Sequence, residues 1–204
     1  YKNIFKLEPR CYLNFNISNE FEKNSINYKK WWNIKDIINR GKTENLEKKS
    51  IKQRTKNIIN DSVNNQLISD VPIGSFLSGG IDSSLITAMM SKISNNKIKT
   101  FTIGLKDNEF DESIYASKIS KILNTDHNEL ILSEKDVQNN LFEIINSFDE
   151  PFADSSQIPT FLISRFAKKS VKVCLTGDGG DELFGGYNRY FLAQKYWSII
   201  KLIP

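Results

Sequence analysis

The chain has 204 residues, enough to bury a sizeable core in one domain with further structure beside it. Charged residues make up 25% and hydrophobic ones 39%, an ordinary balance for a soluble globular protein. The formal net charge of +4 comes from lysines scattered among acids, so nothing points to nucleic acid, and no apolar run is long enough for a bilayer. The first residues do not form a signal peptide. Two cysteines, Cys11 and Cys174, lie far apart without metal-ligand spacing, and Cys174, in an apolar run, reads as a small core residue. A cytoplasmic, reducing location is expected.

The first residue is Tyr1 rather than Met, and a fragment of a longer chain is expected. Ile4, Phe5, Lys6 and Leu7, then Tyr12, Leu13, Asn14 and Phe15, read as short β runs with Pro9 between them. Tyr28, Trp31 and Trp32 follow, and the polar stretch 39–50 reads as a linker or loop. Residues 1–32 look like the closing strands of a preceding domain. From Ile51 the pattern turns helical, with Ile51, Thr55, Ile58, Ile59, Val63 and Leu67 on one face.

Residues 71–77 form a short apolar run, read as a buried strand, that ends at two adjacent glycines. A helix-length segment carrying Leu85, Ile86, Ala88, Met89, Met90 and Ile93 comes next. Residues 99–105 read as a second strand. Asp111, Glu112 and Ser113 open a helix with apolar Tyr115, Ile119, Ile122 and Leu123, and capping accounts for the two acids. Residues 129–132 read as a third strand; His127, the only histidine, stands at its start and reads as structural or as a loop hydrogen-bonder. Val137, Leu141, Ile144, Ile145 and Phe148 make the cleanest helical stripe and are expected in the core. Residues 149–156 break that helix and begin another, running to about Lys168, and 172–175 read as a fourth strand. Strands alternating with helices at these lengths predict an α/β fold: a doubly wound, mostly parallel sheet with helices on both faces. Such sheets bind ligands at the carboxyl ends of their strands. Both glycine-rich stretches of the chain fall there.

The first stretch is Ser78, Gly79, Gly80, Ile81, Asp82, Ser83 and Ser84. Strand, glycine turn and helix N-terminus together build an anion site, because glycine lets the main chain approach a ligand and the first helical N–H groups are unpaired. The serines add hydroxyl donors, and Asp82 can hold a cation against bound phosphate oxygens. No Gly-Lys-Ser/Thr follows, so this is not a Walker loop. Taken alone, it also reads as a serine-rich N-cap on an incidental glycine turn. The second stretch runs from Leu175 through Thr176, Gly177, Asp178, Gly179, Gly180, Asp181, Glu182, Leu183, Phe184, Gly185 and Gly186 to Tyr187. Carboxylates crowded among glycines repel one another unless a divalent cation or cationic partner joins them. The acid spacing of an EF-hand is absent, and a solvated acidic turn is the plainer alternative.

Together with Phe101, Thr102, Ile103 and Gly104, with Phe110, Asp111, Glu112 and Ser113, and with residues 149–154, these loops closely resemble the synthetase domain of glutamine-dependent asparagine synthetases. The first loop is similar to that of the ATP pyrophosphatases at large (the PP-loop superfamily). The resemblance covers residues 51–190 and implies an adenine nucleotide alpha hydrolase-like fold. It makes 51–204 the amino-terminal part of the ATP-pyrophosphatase domain, 33–50 a linker, and 1–32 the tail of a glutaminase (Ntn-type amidotransferase) domain, with Pro9 and Arg10 where the family has Pro-Gly. It implies ATP and Mg²⁺ as cofactors, and aspartate and glutamine-derived ammonia as co-substrates. The aspartate β-carboxylate would be adenylated, and ammonia would displace AMP. By motif position, residues 78–84 (Ser78, Gly79, Gly80, Asp82, Ser83 and Ser84) would cradle pyrophosphate; Leu77, Ile103, Thr176 and Gly177 would contact adenosine; Asp82 and Asp181 would hold Mg²⁺. Asp178, where many members carry Glu, would assist proton removal from ammonia. Small molecules are the expected partners, without nucleic acid or membrane, and a homodimer is compatible with this. The family's glutaminase cysteine has no counterpart at Cys11, and its downstream catalytic lysine would lie beyond Pro204.

Three rival readings share parts of this pattern. A relative amidating a uronic acid or closing a β-lactam would carry the same adenylation loops. A tRNA-modifying adenylase would share the first loop alone, with a basic RNA-binding region beside it. A nucleotide-binding remnant would bind ATP without turnover, though both Asp82 and Asp181 are present.

Overall fold

In the computed structural model, residues 2–14, 27–43, 47–106, 111–150 and 153–201 are described. The chain divides into two compact units, Tyr1–Thr55 and Lys56–Pro204. In the first, β1 (Cys11–Asn14) pairs antiparallel with β2 (Asn27–Lys30), Cys11 opposite Lys30. Residues 4–7 do not form the expected strand. Asn3 and Arg10 on either side have left-handed φ of 65° and 70°, and Ile4 and Phe5 stand exposed, paired with no strand among the described residues. The stretch 39–50 is also not the loop expected of it. It is largely helical, in α1 (Ile34–Thr43) and the start of α2 (Lys48–Gln66). Asn33 caps α1 by accepting the Lys35 amide at 3.1 Å, and Asp36 at one end and Arg40 and Lys42 at the other suit the helix dipole. Capping and dipole therefore outweigh the polar composition.

The second unit is built on four parallel strands in the order β5-β4-β3-β6: β3 (Ile73–Phe76), β4 (Lys99–Leu105), β5 (Asp126–Leu132) and β6 (Val173–Leu175). Helices α3 (Ile81–Ile93), α4 (Ser113–Ile122), α5 (Glu134–Asn146) and α6 (Gln157–Ala167) alternate with them. Side chains alternate across a strand, and the core is split accordingly into two clusters. Val63 of α2, Met89 and Met90 of α3, Ile98 and Leu175 form one, with Ile73 against them. Phe101, Ala167 and Val171 form the other, with Phe76, Phe166 and Cys174. Phe101 and Phe166 meet edge to face, centroids 5.8 Å apart, an arrangement that suits the ring quadrupoles. Helices therefore cover both faces of a parallel α/β sheet, as the alternation predicted.

Two expectations within this unit are corrected. On α5 only Ile144 of the apolar stripe is buried, while Leu141 and Ile145 stand exposed. The stripe's periodicity was right for a helix, but the helix turns only one position fully into the core. The second glycine stretch, read as a turn, contains the short helix α7 (Gly180–Phe184), with left-handed glycines at both caps, Gly179 and Gly185. Helix α8 (Asn188–Ile200) follows. Tyr1, Phe15, Phe110, residues 151–152 of the stretch 149–156, and Pro204 lie outside the described residues. Among the described residues no helix is long and apolar enough to cross a membrane.

Candidate functional site

The chain passes from β3 outward to β4 and β5, then returns to place β6 on the other side of β3. Strand order therefore reverses between β3 and β6, and their carboxyl ends mark the position where open α/β sheets bind ligands. The two glycine-rich stretches leave these two strands. In the first loop, Gly79 has φ +82°, and a Cβ there would lie 2.7 Å from the Ala116 amide nitrogen and from the Tyr115 Cβ. Only glycine satisfies both the conformation and the closeness of α4. Gly80 then serves as N-cap of α3 without a side-chain cap bond.

The loop is held by its own serines. Ser78 and Ser83 hydroxyls are 2.9 Å apart, the Ser78 amide donates to Ser83 Oγ at 3.2 Å, and the Gly80 amide donates to Ser78 Oγ at 3.3 Å. Ser84 Oγ is buried and has no hydrogen-bond partner. A hydroxyl without a partner in the first turn of α3 fits an acceptor supplied by a ligand.

The second loop lies against the first. A Cβ on Gly177 would meet the Ser83 amide nitrogen at 2.6 Å and the Asp82 carbonyl carbon at 2.8 Å, while one on Gly180 would collide with the Asp82 carboxylate. The sequence separates these residues widely; the switch point brings them into contact. Gly186 packs onto the Asp181 carboxylate and its amide donates to the Asp181 carbonyl at 3.0 Å. Tyr187 donates its hydroxyl to Glu182 Oε1 at 2.8 Å, and the Arg189 guanidinium sits 4.1 Å from the Tyr187 ring centroid. That hydroxyl bond, with a smaller part from the Arg189 charge, holds the Glu182 carboxyl below its usual range, and it raises the Tyr187 phenol against the Arg189 charge. Asp178 is exposed, its amide donating to Thr176 Oγ1 at 3.3 Å.

Other expected residues fall into place differently. Leu77 is 1% exposed, its amide donates to the Phe101 carbonyl and its carbonyl accepts the Thr102 hydroxyl, so its groups are all spent inside the protein. Ile103 is half-buried on β4. Asp111 accepts the Ser113 amide at 3.0 Å and its hydroxyl at 2.9 Å, and is a cap as expected. No such bond involves Glu112 as N-cap. His127 Nδ1 lies 3.0 Å from Thr100 Oγ1, Nε2 is buried without a partner, and burial lowers its pKa despite the nearby Glu129. This is the structural role read for it. The sequence reading overlooked a group of buried hydroxyls, Ser75, Thr87 and Thr102, behind the loops. Their signal was polarity inside strands and a helix face that are otherwise apolar.

Among the described residues there is no group of three or more side chains suited to hold a metal ion. Asp82 and Asp181 therefore suit a divalent cation only where ligand oxygens complete its shell, and hard oxygen donors of this kind fit Mg²⁺ at a phosphate.

The asparagine synthase family model matches residues 54–204. Asparagine synthetase [glutamine-hydrolyzing] 1 of Bacillus subtilis is 40% identical over 71% of this chain and 23% of its own length. Asparagine synthetase [glutamine-hydrolyzing] 2 of the same species is 31% identical over 91% of this chain and 25% of its own length. The chain thus spans well under half of the length of the curated relatives it matches, 38% of the putative asparagine synthetase [glutamine-hydrolyzing] 2 of Methanocaldococcus jannaschii, to which it is 37% identical over 99% of its own length, and a quarter or less of the other two. Among solved structures, the glutamine-dependent NAD+ synthetase from Acinetobacter baumannii superposes with a TM-score of 0.47 at 16% identity, over 87% of this chain and 32% of that one. At that score nothing about chemistry follows from the likeness.

Proposed function

Because the chain belongs to the asparagine synthase family, we propose that it supplies the ATP-binding core of an enzyme that makes asparagine from aspartate, ATP and ammonia. The observation that carries this is the contact of the two glycine-rich loops at the switch point, Gly177 on the main chain of Asp82 and Ser83. In this reading the amides and hydroxyls of Ser78, Gly79, Gly80, Ser83 and Ser84 cradle the pyrophosphate of ATP. Ile103, Thr176 and Gly177 border adenosine, and Leu77 forms the wall behind them. Asp82 and Asp181 hold Mg²⁺, which when bound neutralises charge on the phosphates.

The chemistry needs little more than orientation and charge compensation. An oxygen of the aspartate β-carboxylate attacks the α-phosphorus in line with the bond that breaks, and pyrophosphate leaves. Ammonia then attacks the β-carbonyl carbon, AMP departs with the bonding pair, and nitrogen loses a proton, with Asp178 placed to assist. Fixing the carboxylate in line supplies much of the acceleration, and oriented N–H groups stabilise charge as it develops. We further read 1–32 as the tail of a glutaminase domain and 33–50 as its connection to the synthetase part, in a cytoplasmic enzyme.

The test uses the full-length protein with ATP, Mg²⁺, ammonia and a panel of carboxylate acceptors, following pyrophosphate and AMP. Release that depends on aspartate, with asparagine formed, is the expected result. Release that depends on another carboxylate would keep the adenylation and replace the substrate. Tight ATP binding without acceptor-dependent release would overturn the proposal in favour of a remnant.

A further inference from the structure

Two buried hydroxyls lie behind the two loops, where these originate. Ser75 of β3 and Thr87, one turn beyond Ser83 in α3, are both fully buried. Their oxygens are 2.9 Å apart, and Thr87 Oγ1 donates to the Ser83 carbonyl at 2.8 Å. Ser75 Oγ also lies 3.4 Å from the carbonyl oxygen of Leu175, its register partner and the last residue of β6. Thr176 and Gly177 follow at once. The pair therefore reaches from a loop serine to the strand end that launches the second loop. On the other side of α3's first turn, Gly177 rests on the main chain of Asp82 and Ser83. That turn is gripped from both sides, by hydroxyls behind and by a glycine in front.

The count of protons sharpens the point. Two hydroxyl hydrogens serve four links, the fourth a 3.5 Å contact from Ser75 Oγ to the Phe76 carbonyl oxygen. With Thr87 donating to Ser83 and Ser75 donating to Thr87, the Leu175 carbonyl keeps only the long contact. If Ser75 turns to Leu175, either its bond with Thr87 is lost or Thr87 turns to Ser75 and releases Ser83. Two hydroxyls buried in an apolar layer are unfavourable unless bonded, and a fully bonded pair enforces one arrangement of the elements it joins. Valine and alanine would fill the same space without fixing that arrangement.

We propose that Ser75 and Thr87 are positioning residues, whose paired hydroxyls set the spacing between the phosphate loop and the carboxylate loop. This rests on the function proposed above for those loops. Neither residue touches a ligand; Thr87 acts through Ser83 and Ser75 through Leu175.

The experiment compares Thr87→Val, Ser75→Ala and the conservative Thr87→Ser in the full-length protein. Thr87→Val is expected to lower kcat for pyrophosphate release about tenfold or more, because a displacement of the second loop spoils in-line geometry. The KM for ATP should stay within about threefold, since the amide cradle of the first loop is kept. Thr87→Ser, which keeps the hydroxyl, should restore kcat. Amide hydrogen exchange of both hydroxyl-deleting variants should rise at residues 78–84 and 176–186 together and stay as in the wild type elsewhere. Unchanged kcat per folded molecule, failure of Thr87→Ser to restore it, or exchange raised evenly along α3 would overturn the proposal. A wild type without Mg-ATP turnover would instead sink the proposed function, and the paired exchange pattern would still decide on the hydroxyls.

Discussion

Gly177 has no room for a side chain, and the atoms that crowd it belong to the main chain of Asp82 and Ser83. A flexible side chain can swing away from an added methyl group; the first turn of a helix cannot. Gly177→Ala is therefore expected to force the loops apart, with a stability loss of about 1–3 kcal/mol typical of overpacking. ATP affinity should fall about tenfold, a loss of roughly 1.4 kcal/mol in binding. Calorimetric titration of ATP into the full-length variant checks this, and wild-type affinity would show that the contact is dispensable. Asp181 makes a different case. Its carboxylate lies under Gly186 at the surface of the second loop, so Asp181→Ala removes charge without opening the core. Mg²⁺-dependent turnover should vanish while the thermal midpoint stays near the wild type's; surviving turnover would remove Asp181 from the proposed metal site.

Elements formed where local signals agreed with one another. Strand β4 occupies the predicted residues, because a β-branched and aromatic run has a partner on each side, β3 and β5. Helix α5 likewise starts where its capping box dictates. Ser133 Oγ accepts the Asp136 amide at 3.3 Å, and Asp136 Oδ2 accepts the Ser133 amide at 2.8 Å. Losing that cap in Ser133→Ala should cost about 1 kcal/mol, measured by denaturant unfolding. A change under about 0.3 kcal/mol would mean that water replaces the cap. Deeper in the unit, Phe101 is 1% exposed and packs on Phe166, so Phe101→Ala should cost about 3–5 kcal/mol. Elements were misread where one signal stood against several. Residues 4–7 have strand-like composition but pair with no strand among the described residues, and α1 has loop-like composition but a cap and a favourable charge order. Both glycine loops were legible because glycines clustered among serines and carboxylates at strand ends have few structural uses. Ser75, Thr87 and Thr102 were harder to read, since a hydroxyl in a strand or helix looks the same in the sequence whether it faces solvent or donates to a buried carbonyl.

Two half-buried titrating groups make the stability of the protein depend on pH in opposite directions. His127 has its pKa lowered from the ordinary 6.5, mainly by burial, and its Nε2 has no partner to accept a proton's charge. The unfolded chain takes up that proton more readily than the folded one, so stability is intact above about 6.5 and falls as pH drops below it. Cys174, packed beside Phe101, Ala167 and Val171, has its thiol raised from 9.0 to about 11, mainly by burial, with the Gly74 amide working the other way. Here the unfolded chain loses its proton first, so stability is intact below about 9 and falls between 9 and 11. Carboxylates held low by hydrogen bonds, Asp136 by Ser133, Asp154 by Ser156 and Glu182 by Tyr187, add to the acid flank only near their ordinary 3.8 to 4.5 and below. Stability against denaturant should therefore form a plateau from about pH 6.5 to 9 with separable flanks. His127→Gln should flatten the limb just below pH 6.5, and Cys174→Ala the limb that begins at 9, with Tyr187, raised from 10.0, keeping a part above 10. In the native protein at pH 8 the Cys174 thiol should also resist a disulfide reagent until the chain is unfolded. An acid limb that persists in His127→Gln would assign it to the carboxylates, and rapid labelling of Cys174 in the folded state would mean that the cluster around Phe101 opens without global unfolding.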